Sequence, residues 1–268
     1  MKLSSESIND SIRMQETNDP TIYCISSKDK FKCLKKAIIS YKGEAKSLEE
    51  ITNNYNKLSN DVLLVRLDTI DEDEIFSVEK LLIRSTTEKK SIILDISGVN
   101  LSIDKRDVAL SFLNRYNIDL IIGSRNEFLY LVKNQWQYKN DIVDKYRYFS
   151  RKNKIILLVI DNEYFITDGY SEFIIESKKN KAYEDVDLNC ILSGIISVAI
   201  SNCSSKEEKV KSILIAINVF EICKDLTINK VSDADEITNY PSVLFNEILN
   251  ISPKTIYDNS KILYMFKR

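Results

Sequence analysis

Ser91-Ile-Ile-Leu-Asp-Ile-Ser-Gly-Val-Asn100 is the stretch on which the fold turns. Three apolar residues run into a carboxylate, Asp95, and a glycine, Gly98, follows three positions later. A strand covered on both faces of a sheet is continuously apolar rather than alternating. In an open α/β sheet, ligands sit just beyond the carboxyl ends of the strands. The stretch therefore predicts a buried strand whose exit, at Asp95 and Gly98, borders a site.

The same pattern recurs on either side. Thr21–Ile25, Val62–Leu67, Ile118–Ile122 and Ile155–Ile160 are further short apolar runs, closed by polar residues or by Gly123. Helical spacing occupies the intervals, at about Lys30–Tyr41, Ser47–Leu58, Asp71–Thr87 and Asp104–Tyr116, with another helix starting near Asn126. Ser47 followed by Glu50 has the spacing of a capping box. The polar residues 1–19 read as an arm or first helix, and 130–153 as one or two surface helices. Glu163–Glu176 holds two β-rich runs joined by Asp168-Gly169, which predicts a hairpin adding antiparallel strands at the sheet edge. From Asn189 onward the pattern is helical, over Cys190–Asn202, Lys206–Leu226 and Pro241–Leu249. Alternating strand and helix followed by accumulating helices predicts an α/β sandwich, with residues 1–268 as a single domain.

Composition narrows the function. The 268 residues carry a formal net charge of -2, with 44% hydrophobic and 29% charged residues, ordinary for a globular chain. The lysines are scattered, which gives no reason to expect nucleic acid as a partner. No apolar run approaches the roughly 20 residues of a membrane span, and Met1–Met14 lacks the apolar stretch of a secretion signal, so the expectation is a cytoplasmic protein with no membrane partner. Five cysteines without a CxxC pair argue against a disulfide framework or a zinc ribbon. The absence of histidine excludes Ser-His-Asp and Cys-His catalysis and histidine metal sites. With only five glycines there is neither GxGxxG nor GxxxxGK[ST].

The order of these features resembles the hydroxyethylthiazole kinases of thiamine salvage, members of the ribokinase-like group, from about Ile12 to Ser260. Pro20-Thr-Ile-Tyr-Cys-Ile-Ser-Ser27 is similar to that family's opening strand. Arg66-Leu-Asp-Thr-Ile70 is similar to its Asn-Ile-Gly-Thr-Leu, and Leu94-Asp-Ile-Ser-Gly-Val-Asn100 to its Leu-Asp-Pro-Val-Gly-Val-Gly. Gly123-Ser-Arg-Asn-Glu127 resembles its Gly-Asn-x-x-Glu, and Phe165-Ile-Thr-Asp-Gly169 its hairpin. Val186-Asp-Leu-Asn-Cys190 resembles its Thr-Gly-x-Gly-Cys at a helix start.

The resemblance implies a ribokinase-like three-layer α/β sandwich: a mostly parallel central sheet, helices on both faces and an antiparallel edge hairpin. It implies ATP and Mg2+ as cofactors, a small thiazole alcohol as substrate, and a homo-oligomer, a trimer, with sites between subunits. It places Cys190 at the reacting hydroxyl. It assigns Asp95, Gly98, Glu127, Thr167, Asp187 and Asn189 to the cofactor site, with Asp95 and Glu127 placing the metal. The departures fall where the chemistry is. Asp187 and Asn189 stand where the family has the glycines of its anion hole. Tyr23 stands for its active-site histidine, Ser124 for the asparagine of its Asn-x-x-Glu, and Ile160 for a threonine near the nucleotide.

Each candidate also has a plain structural reading. Asp95 either orients magnesium or caps the loop after its strand. Glu127 either holds magnesium-bound phosphate through water or sits in a first helical turn, where a carboxylate is favoured anyway. Cys190 is an activated thiolate at a helix start or a small buried side chain. Asp187 is a candidate base, although its offset in the turn does not fit other ribokinase-like enzymes. Arg66, Arg106 and Arg125 contact phosphate or are solvated charges, and Trp136, Tyr138, Tyr146 and Tyr148 form a partner surface or pack. A carboxylate about 4 Å from a phosphate charge is unfavourable by roughly 4 kcal/mol at an effective dielectric near 20, against about 0.3–2 kcal/mol from a helix terminus. An anion at this turn is therefore repelled unless magnesium or Lys181 screens Asp187. The two functions in view are an ATP-dependent kinase and a homologue that kept the fold without turnover.

Overall fold

The computed structural model describes residues 4–10, 19–53, 62–133, 141–177, 186–231, 239–261 and 263–267, the last five and 51–53 by backbone alone. Its centre is a sheet of nine strands among the described residues. These are β1 (Thr21–Ile25), β2 (Glu44–Ser47), β3 (Val62–Arg66), β4 (Ser91–Asp95), β5 (Leu120–Ser124), β6 (Ile156–Ile160), β7 (Glu163–Thr167), β8 (Ser171–Glu176) and β9 (Leu263–Lys267). They lie in the order β2-β1-β3-β4-β5-β6-β7-β8-β9. The first six are parallel. The last three run antiparallel.

The apolar runs become strands because both faces are covered. Ile22, Cys24, Val62, Leu64, Ile93, Leu120 and Ile122 face one apolar layer. The alternating residues Tyr23, Ile25, Leu63, Val65, Ile92, Leu94 and Ile121 face the other. On the first side pack α1 (residues 5–10), through Ile8, and then α2 (Lys28–Ser40), α8 (Leu188–Ile200), α9 (Lys206–Lys230), α10 (Tyr240–Asn250) and α11 (Pro253–Asn259). On the second pack α4 (Ile75–Thr87), α5 (Ile103–Arg115), α6 (Arg125–Leu131) and α7 (Ile142–Asn153). A six-residue α3 (Leu48–Asn53) follows β2. The three layers of the expected sandwich are present.

Three expectations are corrected. β2 and β9 are strands that the apolar pattern did not announce: Glu-Ala-Lys-Ser at one edge is too polar, and β9 lies in a stretch read as helical. Edge strands are paired on one side only, so their letters are weakly constrained. The segment after β7 is a four-residue turn rather than a two-residue one, because Thr167 pairs with Glu172. Asp168 Oδ1 closes it by accepting from Tyr170 N at 2.8 Å and Ser171 N at 2.7 Å. Finally, the hairpin does not form the edge, since β9 lies outside β8. Tyr146 packs in the core, whereas Trp136, Tyr138 and Lys181 lie outside the described residues.

Helices α2 and α8 approach unusually closely. A Cβ on Gly194 would lie 3.1 Å from Ala37 Cβ and 3.4 Å from Leu34 O. Gly194→Val should therefore wedge the pair apart and lower stability by about 1–3 kcal/mol. Urea unfolding monitored by circular dichroism measures this, and an unchanged midpoint would contradict the close approach.

Candidate functional site

Arg66 is the last residue of β3 and lies in register with Asp95, the last residue of β4. It is the largest fully buried side chain, 1% exposed. A buried charge without a partner is prohibitive, so its neighbours are dictated. Arg66 Nη1 is 3.1 Å from Asp95 Oδ2. Its Nε and Nη2 donate to the two oxygens of Asp68 at 3.3 and 2.9 Å, a bidentate pair. Asp68 is delivered by the single 3-10 turn, Leu67–Thr69, that follows the strand, and its backbone oxygen accepts from Lys105 Nζ at 2.7 Å. Burial opposes the guanidinium charge; Asp95 and Asp68 outweigh it and hold the Arg66 pKa above its ordinary range.

Asp95 is fully committed. Oδ1 accepts from Ser97 N at 3.0 Å and Ser97 Oγ at 2.5 Å, closing the loop after β4. Oδ2 accepts from Ser193 Oγ at 2.8 Å, a bond that ties α8 to the sheet. Glu127 is committed too. Its Oε1 accepts from Gly98 N at 2.7 Å, and its Oε2 accepts from Ser124 N at 2.7 Å within a capping box. Gly98 has φ +75°, a left-handed conformation that a glycine adopts without strain, and this aims its N–H at Glu127. Both carboxylates thus do the structural work weighed for them. A hard cation prefers oxygen ligands; the acceptor positions of Asp95 are filled by Ser97, Ser193 and Arg66, so direct metal binding by Asp95 does not fit, whereas each Glu127 oxygen accepts one bond and keeps a lone pair. No group of three or more potential metal ligands occurs among the described residues.

Asp187 is the N-cap of α8. Its Oδ1 accepts from Cys190 N at 3.0 Å. Its Oδ2 accepts from Lys30 Nζ and lies 3.8 Å from Arg66 Nη2. A carboxylate, two cations and a helix N-terminus therefore meet at one point, and the chain itself supplies the anion. Burial alone would raise the Asp187 pKa; the bonds from Lys30 and from Cys190 N, together with Arg66, outweigh it and hold the carboxyl below its usual range. Lys30 and Arg66 both screen Asp187.

Cys190 is buried, with its sulfur 3.7 Å from Lys30 O. The neighbouring Cys33 thiol and burial push its pKa up, which leaves it a neutral thiol rather than an activated thiolate. Asn189 is exposed in the first turn of α8. The structure thus brings Asp95, Gly98, Glu127, Asp187, Asn189 and Cys190 to the carboxyl edge of the parallel sheet. It does not bring Thr167 there. Thr167 pairs with Leu157 near the start of β6, so antiparallel β7 carries it to the opposite edge, where its Oγ1 accepts from Gly169 N.

Of the other candidates, Arg66 is buried rather than solvated. Arg106 donates to the carbonyls of Leu131 and Lys133. Arg125 lies 3.7 Å from Asp161. Tyr23 is buried beneath Lys90, 5.5 Å from its ring. Lys30, Cys33, Asp68 and Ser193 were missed. Lys30 and Cys33 sit on one face of α2 whose partner is 157 residues away, and no local pattern marks them.

Comparison with known proteins gives a consistent relative. No family model matches the chain. Hydroxyethylthiazole kinase of Clostridium perfringens is 22% identical over 229 residues, covering 81% of this chain and 84% of the relative. The namesake of Clostridium acetobutylicum is 21% identical over 229 residues, covering 80% and 81%. The solved hydroxyethylthiazole kinase protein of Pyrococcus horikoshii superposes with TM-score 0.81 at 15% identity, over 97% of this chain and 100% of that one. A ribokinase-like superfamily protein of Enterococcus faecalis gives TM-score 0.58 at 11% identity, over 92% and 96%. The fold is ribokinase-like.

The Asp187 cluster makes a pH prediction. Because its folded-state pKa lies below the unfolded value, its charge contributes stability at neutral pH that is lost as the pH falls through the folded value. Asp187→Asn, which can still cap Cys190 N, should melt below the parent at pH 7, with the gap closing below about pH 4. A gap unchanged from pH 7 to 3 would show that Lys30 and Arg66 do not hold the ionised form.

Proposed function

We propose that this chain, a diverged relative of the hydroxyethylthiazole kinases, is a small-molecule kinase that transfers the γ-phosphoryl of ATP to the hydroxyl of 4-methyl-5-(2-hydroxyethyl)thiazole. One observation carries the reading. The place where the resemblance puts the transferred phosphoryl is a built anion receptor, with Cys190 N, Lys30 and Arg66 all directed at the Asp187 carboxylate. Phosphoryl transfer needs mainly positioning and charge stabilisation, with little covalent work from the protein. In this reading the γ-phosphoryl displaces Asp187 from Lys30 and from the helix N-terminus. Asp187 then takes the hydroxyl proton as the alcohol oxygen attacks phosphorus and ADP leaves. Cys190 packs at the hydroxyl as a neutral thiol.

A cavity of about 190 Å³ supports the alcohol's side of the reaction. Leu67, Ile70, Ile75 and Val108 give it an apolar wall, and Lys105, on its rim, reaches Asp68 and so the Arg66 cluster. Phe76, Leu101 and Ile103, from the elements flanking it, are 67%, 80% and 65% exposed. They support the homo-oligomer, a trimer, in which a second subunit covers this face. Sedimentation equilibrium should give three times the chain mass, and a monomer across the micromolar range would remove that part of the reading.

A second reading rests on the charges. Lys30 and Arg66 face Asp68, Asp95 and Asp187, two cations against three carboxylates, a net of -1. If Asp187 stays in place, phosphate is repelled, and the chain is a ligand-binding or partner subunit without turnover. The test is the purified chain with magnesium ATP and the thiazole alcohol, following thiazole phosphate by mass, beside Asp187→Gly and Cys190→Ala. The kinase reading expects product from the parent and little from Asp187→Gly, which removes the base, or from Cys190→Ala. A ligand at 100 times its dissociation constant stabilises by about 2.7 kcal/mol. If neither parent nor Asp187→Gly makes product or melts higher with millimolar magnesium ATP, the kinase reading is lost. Product from Asp187→Gly alone would establish the second.

A further inference from the structure

Helices α2 and α8 run side by side in one register. Lys30 meets Asp187, Cys33 meets Cys190 and Ala37 meets Gly194, each pair at the same 157-residue spacing. The ion pair clamps the seam at one end, and the missing side chain of Gly194 lets the backbones close at the other. Between these two fixed points lie Cys33 and Cys190, the Cys190 sulfur resting 3.7 Å from Lys30 O, one turn before Cys33, and each thiol perturbs the other. A disulfide requires Cα atoms roughly 4.4–6.8 Å apart, and one turn along the same seam the helices are close enough that a Cβ on Gly194 would meet Ala37 Cβ at 3.1 Å. We infer that Cys33 and Cys190 form a reversible redox pair, a disulfide made and broken at the start of α8 beside the Asp187 anion position.

The two thiols differ as an attacking and a resolving cysteine should. Cys33 is half-buried, on the open side of the seam. The neighbouring Cys190 lowers its pKa; burial and Asp187 oppose this, while Arg66 and Lys30 assist it. Cys190 is buried behind it. The remaining cysteines are differently placed. Cys24 and Cys223 are sealed in the core with their thiols pushed up, and the sulfur of Cys203 lies 3.2 Å from Ser212 Oγ.

With a peroxide as oxidant, the Cys33 sulfur attacks one peroxide oxygen. The O–O bond breaks, water leaves and Cys33 becomes a sulfenic acid. The Cys190 sulfur then attacks the Cys33 sulfur, the S–O bond breaks, and a second water leaves as the S–S bond forms. Two thiols lose two electrons and two protons, and the peroxide is reduced to water. A dithiol reverses the change by exchange. The crosslink fixes α2 to the first turn of α8 and removes the thiol that packs at the anion position.

The test uses the full chain, reduced, desalted and treated with equimolar hydrogen peroxide, then alkylated and analysed by intact mass and non-reducing peptide mapping. The expected result is loss of two of the five thiols and of two hydrogens, about 2 Da. A single cross-linked peptide should join Cys33 to Cys190, and dithiothreitol should reverse it. Cys33→Ser should slow thiol loss at least tenfold, and Cys190→Ser should accumulate a sulfenic acid trapped by dimedone. Cys33 is half-exposed, so its serine variant keeps the test open should the buried Cys190→Ser fail to fold. Five alkylated thiols after oxidation, a crosslink between different chains, or equal loss in Cys33→Ser would each overturn the pair. None of these readouts depends on kinase activity.

Discussion

A guanidinium at the centre of a sheet edge has few tolerable surroundings, and Arg66 sets the terms for everything near it. Its charge, taken out of water at the end of β3, is matched by Asp95 on the next strand, Asp68 two residues on and, at longer range, Asp187. Removing one partner of such a cluster leaves an uncompensated buried charge, a defect typically worth about 3–5 kcal/mol. That requirement fixes the exit of β4, the turn after β3 and the first turns of α8 together. Ser193 extends it by donating to Asp95, so a helix on one face is tied to a strand end in the sheet.

The constraint explains how a glycine-poor chain holds a charged cluster at the start of α8. A glycine-rich turn lets an outside anion approach backbone N–H groups. Here Asp187 occupies that position from within, capping Cys190 N and engaging Lys30. The same groups that would bind a phosphate are present, and they hold a carboxylate of their own. Whether ligand displaces it is a competition between two anions for one set of donors.

The layers were legible because a continuously apolar strand has one physical explanation, burial on both faces, and five such runs occur in order. The edge strand β2 was not, because pairing on one side leaves its side chains free to be polar; β9, Leu263-Tyr-Met-Phe-Lys267, is apolar but follows a run of helices and reads as their continuation. At the site, Asp95 and Gly98 were found at the exit of a buried strand, where topology alone points. Arg66 reads only as a phosphate contact or a solvated charge, since an arginine ending an apolar run looks the same whether it leaves the core or stays within it. Lys30 and Cys33 were hidden for another reason: a helix face records which residues are apolar, not which distant helix will meet the polar ones. Thr167 was misplaced because a motif match carries no strand direction, and antiparallel β7 points its end away from the site.

The in-register seam between α2 and α8 also imposes an order on folding. Its halves lie 157 residues apart, and a ribosome adding about 5–20 residues per second separates their emergence by roughly 10–30 s. Over that interval β3, β4 and β5 and the helices α4–α7 that cover one side emerge in turn, while Ile22, Val62, Ile93 and Leu120 lack α8 on the other. The nascent chain must therefore survive as a half-covered sheet, and its carboxyl-edge site exists only once α8 has arrived to close it.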